Sequence, residues 1–127
     1  MIEAMQTAIA GLRVSVQRFG VAADNIANVG STGRVEPYDG YVPQRLVQST
    51  GASGAPQARV RPFDNPAFPA YAPADRSANA DGVVGMPNVN LPAQFVELSV
   101  AQRSYEANVA VLETTNDLMK FLVDREI

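Results

Sequence analysis

The fold of this chain is decided by one long stretch near its C-terminal end, residues 91–123, LPAQFVELSVAQRSYEANVAVLETTNDLMKFLV. A pattern of alternating four- and three-residue steps runs through Leu91, Phe95, Leu98, Gln102, Tyr105, Val109, Leu112, Asn116, Met119 and Val123. This is the heptad a/d spacing that winds one helix against another. A single helix over residues 91–124 would be about 50 Å long at 1.5 Å per residue. We therefore predict a helix that needs a partner along its whole length.

A second pattern of the same kind runs through the N-terminal segment. Its members are Ile2, Met5, Ile9, Leu12, Val16, Phe19, Ala23 and Ile26. The heptad argument predicts a helix over residues 2–28, about 40 Å long. Ser15 and Arg18 are among the small and polar residues that this prediction places on its outer face. We call the two patterns the N-terminal seam and the C-terminal seam.

Glycine and asparagine mark weak points and the end of the first helix. Gly11 and Gly20 each cost about 1 kcal/mol relative to alanine, so each is either a tolerated weak spot or a place where a neighbouring helix approaches closely. Gly30 suits the left-handed position that follows a helix. Asn25 and Asn28 lie on one face at this end, where asparagine commonly satisfies the last carbonyls and starts a turn.

Residues 34–90 differ in kind, since they hold eight of the nine prolines. The strand-like pieces are residues 40–48, 58–63 and 82–86. Proline or glycine interrupts or bounds each piece, which is typical of edge strands. Residues 51–54 read as a hairpin or loop tip, and residues 64–79 read as an extended or mobile loop. Asn90 then caps a restarting helix, with Pro92 in its first turn.

Composition argues against most catalytic chemistry. The chain has no cysteine and no histidine, which removes thiolate chemistry, the commonest general base and the commonest metal ligand. Glu36, Asp39 and Asp64 could bind a hard cation, but their spacing matches no calcium loop. We expect no enzymatic activity, no metal and no cofactor.

Charge and hydropathy narrow the choice of partners further. The formal net charge is −3, and residues 92–127, with six acidic and three basic residues, account for all of it. We expect a solvated face there, and no nucleic acid as a partner because no basic patch is evident. Glu3 stands where a cleaved signal would have a basic residue. No stretch approaches the ~18 continuous apolar residues of a membrane span, so none is expected.

The C-terminal helix has more apolar surface than one partner helix can cover. Beyond its seam it carries Val96, Val100, Val111, Leu118 and Leu122. Polar residues at two seam positions, 102 and 116, either fix the register of a buried contact or face solvent. Pairing the two helices buries one stripe of each, and the rest needs other chains to cover it. The pattern therefore favours an assembly built from terminal helices.

Two motifs resemble a known family. One is AADNIAN at residues 22–28 with STG at 31–33; the other is GMPNVN at 85–90, continued by AQRSYEAN at 101–108 and VLETT at 111–115. They are similar to the N- and C-terminal signatures of bacterial flagellar axial proteins, which form the rod, the hook and hook-associated parts. The second motif looks most like the small proximal rod proteins of the FlgC type.

The resemblance implies a mainly α fold in three parts. Residues 1–30 would form an N-terminal axial helix, residues 31–90 a loop-rich middle with short β-strands, and residues 91–127 a C-terminal axial helix. The two long helices would form an antiparallel coiled-coil-like pair, with the small Pro/Gly-rich β-containing region between them.

The resemblance also implies a function in the flagellar basal-body rod. The chain would be a structural subunit that polymerises through its terminal helices into the drive shaft that transmits motor torque. It would pass unfolded through the flagellar type III export machinery, without a cleaved signal, and assemble in the periplasm. Expected partners are other rod subunits, copies of the same chain, and the base of the rod at the membrane ring and export apparatus. The expected subunit-interface residues are Leu12, Phe19, Asn25, Asn28, Phe95, Tyr105, Asn108, Val109, Leu112 and Met119.

Two other functions fit the same residues. One is a different rod or hook-class axial subunit, which would ordinarily have a longer middle. The other is a soluble adaptor or export chaperone whose coiled coil binds a client helix. An adaptor should be compact when isolated, whereas a rod subunit should lose helix packing without its neighbours.

Overall fold

The computed structural model describes residues 1–125. It has two long helices, with a small β region between them in the sequence. The elements in chain order are α1 (Ile2–Ala27), β1 (Gln44–Thr50), β2 (Pro56–Pro62), β3 (Ala67–Tyr71), β4 (Val83–Pro87) and α2 (Leu91–Arg125). The strands form two separate antiparallel pairs, β1 with β2 and β3 with β4. Two terminal helices around a small antiparallel β region are thus confirmed. The last two residues of the predicted C-terminal segment lie outside the described range.

Local sequence signals explain where the helices begin and end. The Asn90 side-chain oxygen accepts a hydrogen bond from the Ala93 N–H at 3.0 Å, so the predicted cap of α2 is confirmed. At the end of α1, the Asn28 amide donates to the Asp24 carbonyl at 2.9 Å. The left-handed conformation predicted for Gly30 is wrong, because only Gly54 and Gly82 among the described glycines have positive φ. The chain leaves α1 through an ordinary turn instead.

The two hairpins show what proline does in a small sheet. The tip predicted at residues 51–54 is confirmed, and it joins β1 to β2. The loop predicted over residues 64–79 is wrong in part, because β3 lies within it and pairs with β4. Pro69 has no N–H, but a two-stranded sheet leaves every strand an open edge where that group is not needed. A run containing proline therefore still forms a strand here.

The two helices pack against each other in opposite directions. Asn25 of α1 bonds to Gln94 of α2, and Arg18 bonds to Glu97. Further along, Gly11 lies against Asn108. The positions descend along α1 as they ascend along α2, so the pair is antiparallel.

The face between the helices is small and polar. The buried residues of the two helices are Ala8, Gly11, Val14, Ser15, Ala22 and Asn25 in α1, and Gln94, Ala101 and Thr115 in α2. Val14 is the largest apolar side chain among them. Small side chains let two helix backbones approach more closely than leucine or phenylalanine would. We call these residues, without Val14, the interhelix face.

The predicted seams do not form this contact. Of the N-terminal seam, Val16 and Phe19 are 59% and 51% exposed, and of the C-terminal seam, Phe95 and Tyr105 are 56% and 43% exposed. Ser15, which we expected on the outer face, is buried and belongs to the interhelix face. A coiled-coil pairing through the two seams is therefore not confirmed. The close approach of small residues turns the large apolar side chains to the flanks of the pair.

The two glycines of α1 have different roles. A Cβ built on Gly11 would lie 2.5 Å from the Oδ1 atom of Asn108, far inside van der Waals contact. A Cβ on Gly20 would meet nothing within 4 Å. The close-approach interpretation therefore holds for Gly11, and Gly20 is a tolerated weak spot.

Gly11→Ala and Gly20→Ala form a matched pair for testing this contact. Both gain the same helix propensity, about 1 kcal/mol. We expect Gly20→Ala to raise the free energy of unfolding by up to that amount. Gly11→Ala must displace the side chain of Asn108, which donates to the Ser104 carbonyl at 2.7 Å. We therefore expect its free energy of unfolding to be about 1–3 kcal/mol lower than that of Gly20→Ala. Urea denaturation followed by circular dichroism measures the difference.

Removing the Asn108 side chain completes the test. In the Asn108→Ala background the methyl group at position 11 has room, so Gly11→Ala should then behave like Gly20→Ala. Equal gains at both glycines in the unmodified chain would contradict the close contact.

Candidate functional site

Asn25 connects three parts of the chain at one buried point. Its side chain has no exposed surface. The amide nitrogen donates to the Gln44 carbonyl at 2.7 Å and to Oε1 of Gln94 at 3.0 Å. The amide oxygen accepts from the Tyr41 hydroxyl at 2.9 Å and from the Gln44 N–H at 3.0 Å. All the hydrogen-bonding capacity of this side chain is therefore spent within the subunit.

Arg18 makes a second connection, one to two turns earlier in α1. Its Nη1 atom donates to Oε2 of Glu97 at 2.6 Å, and its Nη2 atom donates to Oε1 of Gln48 at 3.0 Å. The guanidinium thus joins α1 to α2 and to the β1–β2 hairpin. Together with Asn25 it fixes the hairpin along one flank of α1.

The turn after α1 is held by polar contacts that sequence reasoning missed. The Thr32 hydroxyl donates to Asp75 at 2.6 Å, and this bond is the main cause that lowers the pKa of the Asp75 carboxyl. The Arg34 N–H donates to Asp39 at 2.7 Å and chiefly lowers the pKa of that carboxyl. These carboxylates order a loop. Thr32 and Asp75 lie 43 residues apart, so sequence gave no signal of their contact, whereas Arg34 and Asp39 lie five residues apart.

On the opposite flank of the helix pair, both seams face a shared groove. It has a volume of about 520 Å³ and is lined by Ser15, Val16, Phe19, Ala101, Gln102, Tyr105 and Glu106. We call it the assembly groove. Its walls combine half-exposed apolar side chains with the polar Gln102 and Glu106, and its floor is the interhelix face. An aromatic residue stands on each wall, Phe19 on α1 and Tyr105 on α2.

The last turns of α2 extend beyond α1. Ile2 is nine residues before Gly11, so it lies opposite roughly residue 117, nine after Asn108. The remaining two turns of α2 have no helix of the same chain beside them. Their exposed apolar residues are Leu118, Phe121, Leu122 and Val123. Exposed apolar surface of this extent is typical of an interaction site.

The predicted interface residues divide into three groups. Phe19, Phe95 and Tyr105 are exposed apolar residues available to a neighbour. Leu12, Val109, Leu112 and Met119 are half-buried on the flanks. The three asparagines make contacts inside the chain instead. Asn25 bonds to Gln44 and Gln94, and Asn28 bonds to the Asp24 carbonyl. Asn108 bonds to the Ser104 carbonyl and lies against Gly11. For the three asparagines the structure assigns intrachain roles, because their amides are already bonded.

The described residues offer no alternative site with recognisable chemistry. Among residues 1–125 no three acidic, histidine or cysteine side chains cluster as a metal site would require. Neither helix, over the described positions, is long and apolar enough to cross a membrane. Gln102 and Asn116, the polar residues of the C-terminal seam, are exposed. They therefore do not fix the register of the contact within the chain.

The two asparagines at the end of α1 provide a matched test of the buried centre. Asn25→Ala leaves two donors and two acceptors on Gln44, Gln94 and Tyr41 without partners, so we expect a loss of about 2–3 kcal/mol in the free energy of unfolding. Asn28→Ala removes one half-exposed cap and should cost about 1 kcal/mol or less. Urea denaturation measures the free energy of unfolding of both variants. Equal losses would contradict the structural role of the buried Asn25 side chain.

Comparisons with known proteins identify the family. The family model described as flagellar basal body rod FlgEFG protein C-terminal matches residues 80–125. A flagellar basal-body rod protein FlgC from Agrobacterium fabrum is 33% identical over 129 residues, covering 95% of this chain and 91% of the relative. The Salmonella typhimurium protein of that name is 37% identical over 123 residues, covering 87% and 88%.

The similarity reaches distant bacteria. The FlgC protein of Bacillus subtilis is 29% identical over 123 residues, covering 80% of this chain and 82% of the relative. All these relatives are structural proteins of the flagellar basal-body rod, not enzymes. The exposed helical seams and the absence of catalytic chemistry among the described residues agree with that class. The chain belongs to the FlgC family of flagellar basal-body rod proteins.

Proposed function

We propose that this rod subunit polymerises through its terminal helices, and that the assembly groove and the overhanging end of α2 receive helices of neighbouring subunits. The assembled shaft transmits motor torque. The observation that carries the proposal is the exposure of the two heptad seams. A heptad repeat this long is spacing for a helical partner, and half of the seam residues, Phe19 and Tyr105 among them, stay exposed when α1 and α2 pair.

The energetics favour assembly over a free subunit. Fully burying a phenylalanine, leucine or valine side chain is worth roughly 1.5–3 kcal/mol relative to exposure. Phe19, Phe95 and Phe121 are each more than half exposed, so most of that gain remains to be made. Covering such side chains along both helices contributes toward the entropy cost of ordering them, which is roughly 1–2 kcal/mol per residue.

The same packing explains how a shaft could resist twisting. Side chains that interdigitate at native density cannot slide past one another without opening voids or exposing apolar surface. The packed side chains in each groove would therefore resist a torque about the axis of the shaft. The proposed partners are copies of this chain, other rod subunits, and the base of the rod at the membrane ring and export apparatus.

We further propose that the chain is exported unfolded by the flagellar type III machinery, without a cleaved signal, and assembles in the periplasm. Support comes from the small and polar interhelix face. Such a contact buries little apolar area, so the isolated helix pair should unfold easily. The chain also has no cysteine, so no disulfide has to form or open on the way.

Phe19→Glu tests the assembly groove. The side chain is half-exposed in the single chain, so the free energy of unfolding should change by about 1 kcal/mol or less. In the assembly the new carboxylate would be buried without a partner, and cells whose only copy carries the variant should lose swimming. Gln17→Glu adds the same charge at an exposed position two residues away and should leave swimming intact.

Equal swimming of the two variants would contradict the proposed groove. Circular dichroism of both purified chains, together with detection of both in the periplasm, separates a failure of assembly from a failure of folding or export.

Amide hydrogen exchange tests the assembly-dependent order. In the isolated chain, α1 and α2 should exchange fast and be cleaved readily by protease, because their large apolar seams have no cover. Exchange should slow when the chain polymerises or meets rod partners. A monodisperse particle with both terminal helices fully protected would instead support a compact adaptor or chaperone.

A further inference from the structure

Two charged surfaces of this chain, the arginines of the β1–β2 hairpin and the carboxylates in the middle of α2, form no ion pair with each other among the described residues. Resting on the proposed polymerisation, we propose that the β1–β2 hairpin of one copy docks through its arginines on the acidic ridge of α2 in the next copy. The contact is head-to-tail, with a basic surface on one copy and an acidic surface on its neighbour.

The basic surface is the face of the hairpin that points away from α1. Strands β1 and β2 contain three arginines and no acidic residue. Arg45 pairs directly with Arg61 across the strands, and Arg59 lies on the same face by the two-residue period. All three are exposed. Like charges directly opposite each other are unfavourable unless an acidic group lies nearby.

The chain supplies little of that compensation. Arg45 has Asp64 at 3.5 Å, an exposed contact of small worth. Within residues 1–125 no carboxylate lies within 4.0 Å of the charged nitrogens of Arg59 or Arg61. The other face of the hairpin carries Gln48, whose side-chain oxygen accepts a hydrogen bond from α1. The arginine face is therefore free to meet a partner.

The acidic surface is a ridge on α2. Glu113 and Asp117 lie four residues apart, which places them on one face of the helix. No basic residue occurs between them. By helical rotation this face is turned away from the buried Ala101 and Thr115, so it points away from α1. Neither carboxylate has an ion-pair partner within the described residues. Glu106 is not part of the ridge, since it lines the assembly groove.

The two surfaces match in spacing as well as in charge. Alternate residues of a strand are about 7 Å apart, which is the separation of Arg59 and Arg61. Residues four apart on a helix are about 6 Å apart along the axis, which is the separation of Glu113 and Asp117. Two arginines can thus engage two carboxylates at once, and arginine is suited to such paired contacts.

Their placement decides the symmetry of the contact. The hairpin lies on α1, and the ridge lies on the far side of α2, so one subunit cannot join the two. A contact between two different patches is heterologous, and repeated heterologous contacts build open filaments or rings. A second copy of this chain is therefore the occupant that the charges specify, and it is also the partner that a shaft requires.

Charge reversal within the full chain tests the contact. Arg59→Glu with Arg61→Glu should raise the concentration needed for self-association, measured by sedimentation at low salt, by at least about tenfold. Glu113→Arg with Asp117→Arg should do the same. The chain carrying all four changes should associate like the original, because the pairs are restored with reversed sign. Arg13→Glu with Arg76→Glu, a matched charge change at exposed sites elsewhere, should have little effect.

The outcomes separate this contact from the proposed function. If the hairpin variant associates like the control while Phe19→Glu does not, the charged contact is overturned and the assembly groove stands. If the fourfold variant fails to associate, the arginines serve another anionic partner and the contact between copies is overturned. Wild-type chain that remains monomeric at every concentration tested overturns it as well. Association that survives every one of these changes overturns both proposals.

Discussion

The structure depends on the close, polar contact between α1 and α2. Gly11 lets Asn108 approach the backbone of α1, and Asn25 joins the other end of the contact to α2 and to the start of β1. Because small residues occupy the line between the helices, the large ones lie beside it. The exposure of Phe19 and Tyr105 is thus a consequence of how the chain pairs with itself. If leucine and phenylalanine formed the interhelix face, they would be buried within the subunit and could not contact neighbours in the proposed assembly.

A contact of this kind specifies an arrangement more than it stabilises one. The buried amides fix which residues meet, since any other register would leave them without partners. They add little net free energy, because unfolded chain bonds to water equally well. The subunit can therefore have a defined pairing while remaining marginal until neighbours cover its seams. Marginal order suits the proposed route, in which the chain passes an export channel unfolded and gains its stability at the growing end.

Sequence reasoning predicted the elements better than it predicted their contacts. Periodicity predicted both helices. Two boundaries, the start of α2 at Asn90 and the tip at residues 51–54, could also be predicted, because these signals are local. Periodicity could not say which stripe of a helix faces its partner in the same chain. The heptad rule assigns the apolar stripe to the nearest helix of the same chain. Under the proposed assembly, the helix that covers this stripe belongs to another subunit. Ser15 was therefore misplaced, although its step of four from Gly11 was a readable sign of a second, smaller stripe.

The candidate site divides along the same line. Phe19, Phe95 and Tyr105 stay predictions as interface residues, made because apolar residues at seam positions need cover, and all three are exposed in the single chain. The intrachain role of Asn25 could not be predicted, because its partners Gln44 and Gln94 lie 19 and 69 residues away. Burial of apolar surface has no direction, so it does not by itself select one register among several. A shaft that holds its register under torque therefore needs directional contacts between subunits as well as burial. Because the buried amide of Asn25 is satisfied internally, the arginines of the hairpin and the acidic ridge are the groups that we propose provide that direction.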